Sequence, residues 1–357
     1  MSWLLAIAAL ALLIVVHEWG HFVAARLLGI KADRFSIGFG PILWKYQGPK
    51  TEYAIRLFPL GGFVGFPEDE PSYDPDLIHN RPVLERAIVI SAGVFANFVF
   101  AYFCLWLMVV SVGVGTVDQP GVRISQLLGN DVPAVQAGLQ PRDIVLRAQY
   151  PTGAVEFGSS ITVLEDFRNF ISQHAQEPLV LSVQRDGQIL TVPIVPMGEQ
   201  GKGKIGVALD YPSPPYRRPL RNWQSFGRAS QEFERMVKLT AEGIWQLITD
   251  FGNMADQLSG PVAIVAIGSE LVKSDLASLF DFMAVISINL AFINLLPLPA
   301  LDGGQLVFLL IEALRGGKPL PLEWQENVMQ GGLMLLLGLG AVMIVKDSYN
   351  LFWQNLF

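Results

Sequence analysis

The sequence predicts a multi-pass α-helical membrane protein. It would have about four transmembrane helices, a membrane-associated β-hairpin region on the cytoplasmic side and one extracytoplasmic α+β module. Three observations carry this reading. Of the 357 residues, 51% are hydrophobic and only 16% charged, against about 25% charged in ordinary soluble domains. Four stretches stay apolar over about 20 residues or more, the length a bilayer requires. Cations are unevenly spread: eight Lys or Arg lie between Arg26 and Arg86, and the positive-inside rule puts such a connection in the cytoplasm.

The first apolar stretch runs from Ser2 to Leu28 within a segment 1–30. Its first cation is Arg26 and no small-residue cleavage pattern follows, so it reads as a retained helix and not as a signal peptide. Residues 31–82 hold "RFSIGFGPILWKYQ" and "TEYAIRLFPLGGFVGF". Both alternate in part and are rich in β-branched and aromatic residues. Gly38, Gly40, Gly61, Gly62 and Gly65 would weaken long strands, which suggests short hairpins beside the helix bundle. The second apolar stretch, Ala87 to Val114, occupies a segment 83–114.

A soluble module is expected over 115–198. It alternates strand-like runs with turns, has helical apolar spacing at Val163, Phe167, Phe170 and Ile171, and carries a hairpin signal at Asp186-Gly187. Residues 199–259 read as a Gly/Lys/Pro-rich linker and an amphipathic helix. One face of that helix carries Phe226, Phe233, Val237, Ile244, Leu247 and Phe251, and Trp223 and Trp245 suit a membrane surface. The C-terminal membrane core, 260–357, holds a third stretch from Phe280 to Leu314, broken by "NLLPLPALDGG", and a fourth from Asn327 to Val345. Arg315 and Lys318 mark the connection between these two as cytoplasmic, so both termini and the soluble module fall outside.

A net charge of −7 without a basic stripe excludes nucleic acid as a partner class. The single cysteine, Cys104, excludes an intrachain disulfide and a cysteine-based zinc cluster. It reads as a buried, inert thiol.

The chemistry concentrates in "HEWGH". His17 and His21 are four apart, share one helical face and can clamp one metal ion. Glu18 is offset by one position, which suits a base and not a ligand, the logic of H-E-x-x-H zinc hydrolases. Each ionisable group at mid-membrane costs a few kcal/mol unless compensated, so three within five residues need a shared reason. Two histidines are one ligand short of a catalytic zinc site. Asp302, also embedded in an apolar segment, is the better candidate for the third; His79 and His174 read as ordinary surface residues. His17 lies nine residues before Arg26, and Asp302 thirteen before Arg315. For ideal helices their depths then differ by only about 6 Å. Pro297, Pro299, Gly303 and Gly304 make the third stretch irregular, and unwound backbone at that depth must be buried or line a wet cavity. Asn294 could offer its amide to a substrate backbone or make an interhelical hydrogen bond.

"HEWGH" at 17–21 and "NLLPLPALDGG" at 294–304, together with "FSIGFGP", "PLGGFVGF" and "LSGPVAIVAIGSE", resemble the site-2 proteases. These are zinc enzymes that cut within membranes, and the likeness is closest to their bacterial RseP-like branch. The resemblance implies that His17, His21 and Asp302 bind Zn2+ and that Glu18 is the catalytic base. Asn294, Pro297, Pro299, Gly61 and Gly62 would surround an extended substrate strand. The module, through "PAVQAGLQPRDIV", resembles a PDZ domain, present once where the classical branch carries two in tandem. The implied partners are the lipid bilayer and single-pass transmembrane proteins already trimmed by another protease, such as trimmed anti-sigma factors or remnant signal peptides. The implied location is the cell inner (cytoplasmic) membrane in preference to a plastid membrane. Two other readings compete: a catalytically silent PDZ-bearing membrane adaptor with a structural metal site, and a metal transporter. Glu18 beside the ligands argues against the first, and the lack of a repeated half argues against the second.

Overall fold

A computed structural model describes residues 2–67, 74–129, 131–199, 202–250 and 260–354. Part of the expected 199–259 segment, including Phe251, and the start of "LSGPVAIVAIGSE" lie outside the described residues. The chain divides into two compact units, Met1–Ser111 with Arg221–Phe357, and Val112–Leu220.

In the first unit, α1 (Ser2–Leu27) leads into β1 (Arg34–Gln47) and β2 (Glu52–Gly65), and α2 (Val83–Ser111) follows. Among the described residues, four helices are long and apolar enough to cross a membrane. The first two spans are Trp3–Leu27 and Val83–Ser111, in α1 and α2. α1 crosses α2 closely at Gly20, where an added Cβ would lie 2.4 Å from Ala92 O and 2.7 Å from Ala96 Cβ. Small residues permit such backbone approach between apolar helices.

β1 and β2 are long in sequence but bent. Gly38 and Gly40, at φ +86 and +85, precede Pro41 and turn β1 sharply. As a result Arg34–Ile37 pairs with Glu52–Ile55 in parallel and, on its other side, with Gly62–Gly65 in antiparallel register. The second half of β1 folds back on Glu52–Arg56. The Gly62–Gly65 strip therefore has an outer side without a ladder partner among the described residues.

The second unit, with its own core, holds β3 (Val114–Thr116), β4 (Val122–Leu127), α3 (Pro133–Gln136), β5 (Ile144–Tyr150), β6 (Gly153–Glu156), α4 (Val163–Gln173), β7 (Leu179–Arg185), β8 (Gln188–Ile194), β9 (Met197–Glu199), β10 (Lys202–Lys204), β11 (Val207–Asp210) and β12 (Tyr216–Arg218). The main sheet runs β11-β4-β5-β7-β8 with β6 on β5. α4 buries Val163, Phe167, Phe170 and Ile171 against it, the spacing read from the sequence. Asp186 and Gly187, both at positive φ, make the β7–β8 turn, as a two-residue hairpin of this twist requires. The sheet does not end at residue 198. β11 pairs with β4, tied by an Arg123–Asp210 ion pair, so the Gly/Lys-rich stretch taken for a linker contributes an edge strand.

The chain returns to the first unit with α5 (Gln224–Thr249), α6 (Pro261–Ser274), α7 (Leu276–Leu295), α8 (Asp302–Leu314) and α9 (Leu322–Gln354). Ala277–Leu295 and Leu322–Tyr349, in α7 and α9, are the other two candidate spans. α5 lays Phe226 on Trp106 and Phe233 against Phe98 of α2, while Thr240 bonds Asn289 of α7 at 3.2 Å. Its apolar face thus packs on the long helices. The stretch expected as one broken span, Phe280–Leu314, is two helices: α7 reaches span length, and α8 starts afresh after the Pro297–Pro299 turn. Proline lacks the N–H a continuous helix would need there. α6, which the sequence reading assigned to no helix, has its N-terminus capped from α9. Buried Asp347 accepts from Gly260 N at 3.3 Å and Ala263 N at 2.9 Å, satisfying donors that the helix leaves orphaned.

Candidate metal centre

Three elements meet at one point. α1 supplies His17 and His21 from successive turns, their rings edge-on at 88° with centroids 4.7 Å apart. α8 supplies Asp302 at its first residue. α2 supplies the wall behind them. The two glycines after Asp302 explain how α8 begins so tightly under the preceding loop. An added Cβ would lie 2.2 Å from Leu296 O at Gly303 and 2.3 Å from Leu298 O at Gly304. Ala300 takes φ +69, a strained position for a residue with a side chain, and its N–H points to Met329 Sδ of α9 at 3.3 Å.

His17 Nε2 lies 3.2 Å from Asp302 Oδ2, and His21 Nε2 lies 3.4 Å from the same oxygen. The two Nε2 atoms are 3.2 Å apart. All three side chains are largely buried; His17 is 7% exposed. Asp302 Oδ2 is buried and, among the described residues, accepts no hydrogen bond of good geometry. A buried carboxylate oxygen left this way is costly, and three basic lone pairs so close repel one another without a cation between them. Zinc fits this set. Tetrahedral ligands at 2.0–2.1 Å from zinc stand about 3.3 Å from one another, which is the spacing found. The donor set, two imidazoles and a carboxylate, is also one that catalytic zinc takes, with a fourth position open.

Glu18 points elsewhere, as its offset in sequence requires. Its carboxylate faces the Val64 backbone, and its Cγ would be 3.1 Å from a Cβ placed on Gly62. It therefore sits between the histidines and the Gly62–Gly65 strip, which is paired on one side only. Gly61, at φ +114, has the Phe39 ring where its side chain would be. Asn294, at the end of α7, places Nδ2 3.4 Å from His17 Nε2. Pro297 lies in the turn between α7 and α8. Pro299 in the same turn packs on α9, where a Cβ on Gly332 would lie 2.2 Å from its Cβ. Neither His79 nor His174 belongs to this cluster; His174 bonds the Phe170 carbonyl at 2.7 Å.

Sequence reasoning missed the α2 wall. Val89 O accepts from His21 Nδ1 at 2.8 Å, and Asn97 faces His17 Nδ1 at 3.1 Å. Gly93 between them leaves the space the imidazoles fill. The available signal was a buried amide and a glycine at four-residue spacing in an apolar helix.

The model for peptidase family M50 matches residues 5–339. The chain is 52% identical over 360 residues to a Nostoc protein provisionally named a zinc metalloprotease, covering 99% of this chain and 98% of that protein. It is 40% identical over 357 residues to the chloroplastic membrane metalloprotease ARASP of Arabidopsis thaliana, covering 97% of this chain and 78% of that protein. It is 30% identical over 442 residues to the regulator of sigma-E protease RseP of Escherichia coli, covering 97% of this chain and 98% of that protein. With four membrane-length helices among the described residues and a histidine–aspartate cluster suited to zinc, the chain belongs to peptidase family M50, the site-2-type metalloproteases.

Proposed function

We propose that this protein is an intramembrane zinc endopeptidase that hydrolyses peptide bonds within transmembrane segments of single-pass membrane proteins. The observation that carries the reading is the meeting of His17, His21 and Asp302 within 4.8 Å of one another, with Glu18 beside them, in helices of a membrane-embedded unit. Ionisable groups are retained at such depth for function.

His17, His21 and Asp302 would hold the zinc. When bound, the ion supplies Lewis acidity, bringing the pKa of water towards 7 and polarising the scissile carbonyl. Glu18 takes the proton from the attacking water and delivers it to the nitrogen of the leaving amine as the C–N bond breaks. Asn294 Nδ2, on the open side of the cluster, can donate to the substrate carbonyl. A peptide bond inside a helix is shielded, so the substrate must be extended. The free side of Gly62–Gly65 offers a ladder to an added strand, with Gly61 leaving its side-chain space to the Phe39 ring and Gly62 to Glu18, and Pro297 and Pro299 shaping the opposite wall. We further assign the unit Val112–Leu220 as a PDZ-type module on the extracytoplasmic side and the location as the cell inner membrane. Substrates would arrive already trimmed by another protease, as remnant signal peptides or shortened anti-sigma factors.

The test uses the full chain in detergent and a model single-pass substrate with its extracytoplasmic part removed. The native chain should cut it and a zinc chelator should stop the reaction. Glu18→Gln should bind zinc and be slower by about 10²–10⁴-fold. Equal rates for native chain and variant would refute Glu18 as the base. Metal binding without cleavage of any of a panel of such substrates would favour the silent adaptor.

A further inference from the structure

Asn97 is fully buried in α2, one turn beyond Gly93 and two beyond Val89, so the three share one helical face. That face serves the two histidines. Val89 O accepts from His21 Nδ1–H at 2.8 Å. A Cβ on Gly93 would lie 2.3 Å from His21 Nε2 and 2.8 Å from His17 Cε1. At Asn97, one end of the amide lies 3.1 Å from His17 Nδ1, and the Oδ1 end has no hydrogen-bond partner among the described residues. Its backbone is fixed from α7, where buried Ser287 Oγ donates to Asn97 O at 2.8 Å.

The oxygen and nitrogen of an amide have nearly the same shape, so their assignment follows from bonding. With nitrogen towards His17, Nδ1 must accept. The imidazole proton then sits on Nε2, the atom 3.2 Å from both His21 Nε2 and Asp302 Oδ2, and no lone pair remains there for a cation. With oxygen towards His17, Nδ1–H donates to it, the Nε2 lone pair is left free for a cation and both histidines share one pattern, while the amide NH2 takes the unpartnered place.

Resting on the zinc reading above, we propose that Asn97 is a positioning residue whose carboxamide oxygen accepts a hydrogen bond from His17 Nδ1–H, directing the Nε2 lone pair of His17 at the metal. Groups that hold the far nitrogen of a ligating histidine fix its tautomer and orientation.

The test is zinc affinity of the full chain in detergent, stripped of metal and titrated with zinc against a chromogenic chelator. Asn97→Leu keeps the volume and removes the acceptor, and should bind zinc about 10–100-fold more weakly. Asn97→Asp keeps an acceptor and discards the amide donor, and should bind as tightly as the native chain. Native affinity in Asn97→Leu overturns the proposal, and so does an equal loss in both variants, which would mean that the amide N–H is the working group. If Asn97→Leu does not fold, Asn97→Asp decides alone: retained affinity supports the proposal and tenfold loss overturns it. A native chain that binds no zinc overturns the reading of the centre itself, whereas zinc binding indifferent to residue 97 overturns only this inference.

Discussion

His17 and Asp302, from opposite ends of the chain, bring Nε2 and Oδ2 to 3.2 Å inside predominantly apolar helices. The contact closes the membrane unit on itself, because α1 and α8 can meet there only if α2 and α7 pack correctly between and beside them. The same packing that folds the unit therefore sets the ligand spacing. Changes in helix packing should be read out as changes in zinc affinity.

Gly93 gives the sharpest case. Alanine is the better helix former by about 1 kcal/mol, so Gly93→Ala would favour α2 in isolation. Its Cβ would nevertheless lie within 3 Å of both imidazoles. Zinc affinity should fall by at least about tenfold, as for other changes that displace a ligand, while the thermal midpoint of the metal-free chain falls little. Calorimetric zinc titration and a melting curve on the same sample check this.

The paired glycines of α9 should behave oppositely. A Cβ on Gly332 meets Pro299 Cβ at 2.2 Å and Pro299 O at 2.8 Å, whereas one on Gly331 meets nothing within 4 Å. Gly332→Ala should push on the turn that leads to Asp302 and destabilise by about 1–3 kcal/mol. Gly331→Ala should be neutral or slightly stabilising. Melting temperatures of the two variants, measured side by side in detergent, would expose an error if they moved together.

Arg86 of α2 and Glu312 of α8 form an ion pair whose side chains are 16% and 9% exposed. Removing one partner strands a buried charge. Glu312→Ala should therefore cost about 3–5 kcal/mol, and the double change Arg86→Leu with Glu312→Leu should recover most of it. Denaturation of the single and double variants, combined as a thermodynamic cycle, measures the coupling.

The proposed ligands and the proposed base stood out in the sequence because burial of ionisable groups in an apolar run is costly enough to demand a reason. His17, Glu18, His21 and Asp302 each stood out in this way. Asn97 did not, because one amide in a membrane helix reads equally well as an ordinary interhelical bond, and only its position against His17 separates the two. The break in the third stretch was visible from Pro297 and Pro299. Its consequence, two separate helices with Ala300 at positive φ between them, depends on packing against Met329 and Gly332 in a later helix. The β region was legible as strands, but Arg34–Ile37 pairs on both sides with parts of β2 that are adjacent in space and distant in register, which alternation cannot encode. β11 was missed for a similar reason. Its partner, β4, lies far back in the chain, and its approach is dominated by Gly and Lys.

The central claim is that the cut falls inside the membrane segment, at the zinc cluster. The most direct measurement is mass spectrometry of both products from a single-pass substrate reconstituted with the full chain in lipid vesicles, with Glu18→Gln as control. The account predicts new termini within the apolar segment, towards its cytoplasmic half, produced by the native chain and absent with the variant. Termini only in the extramembrane parts of the substrate, or the same internal termini with Glu18→Gln at an undiminished rate, would contradict it.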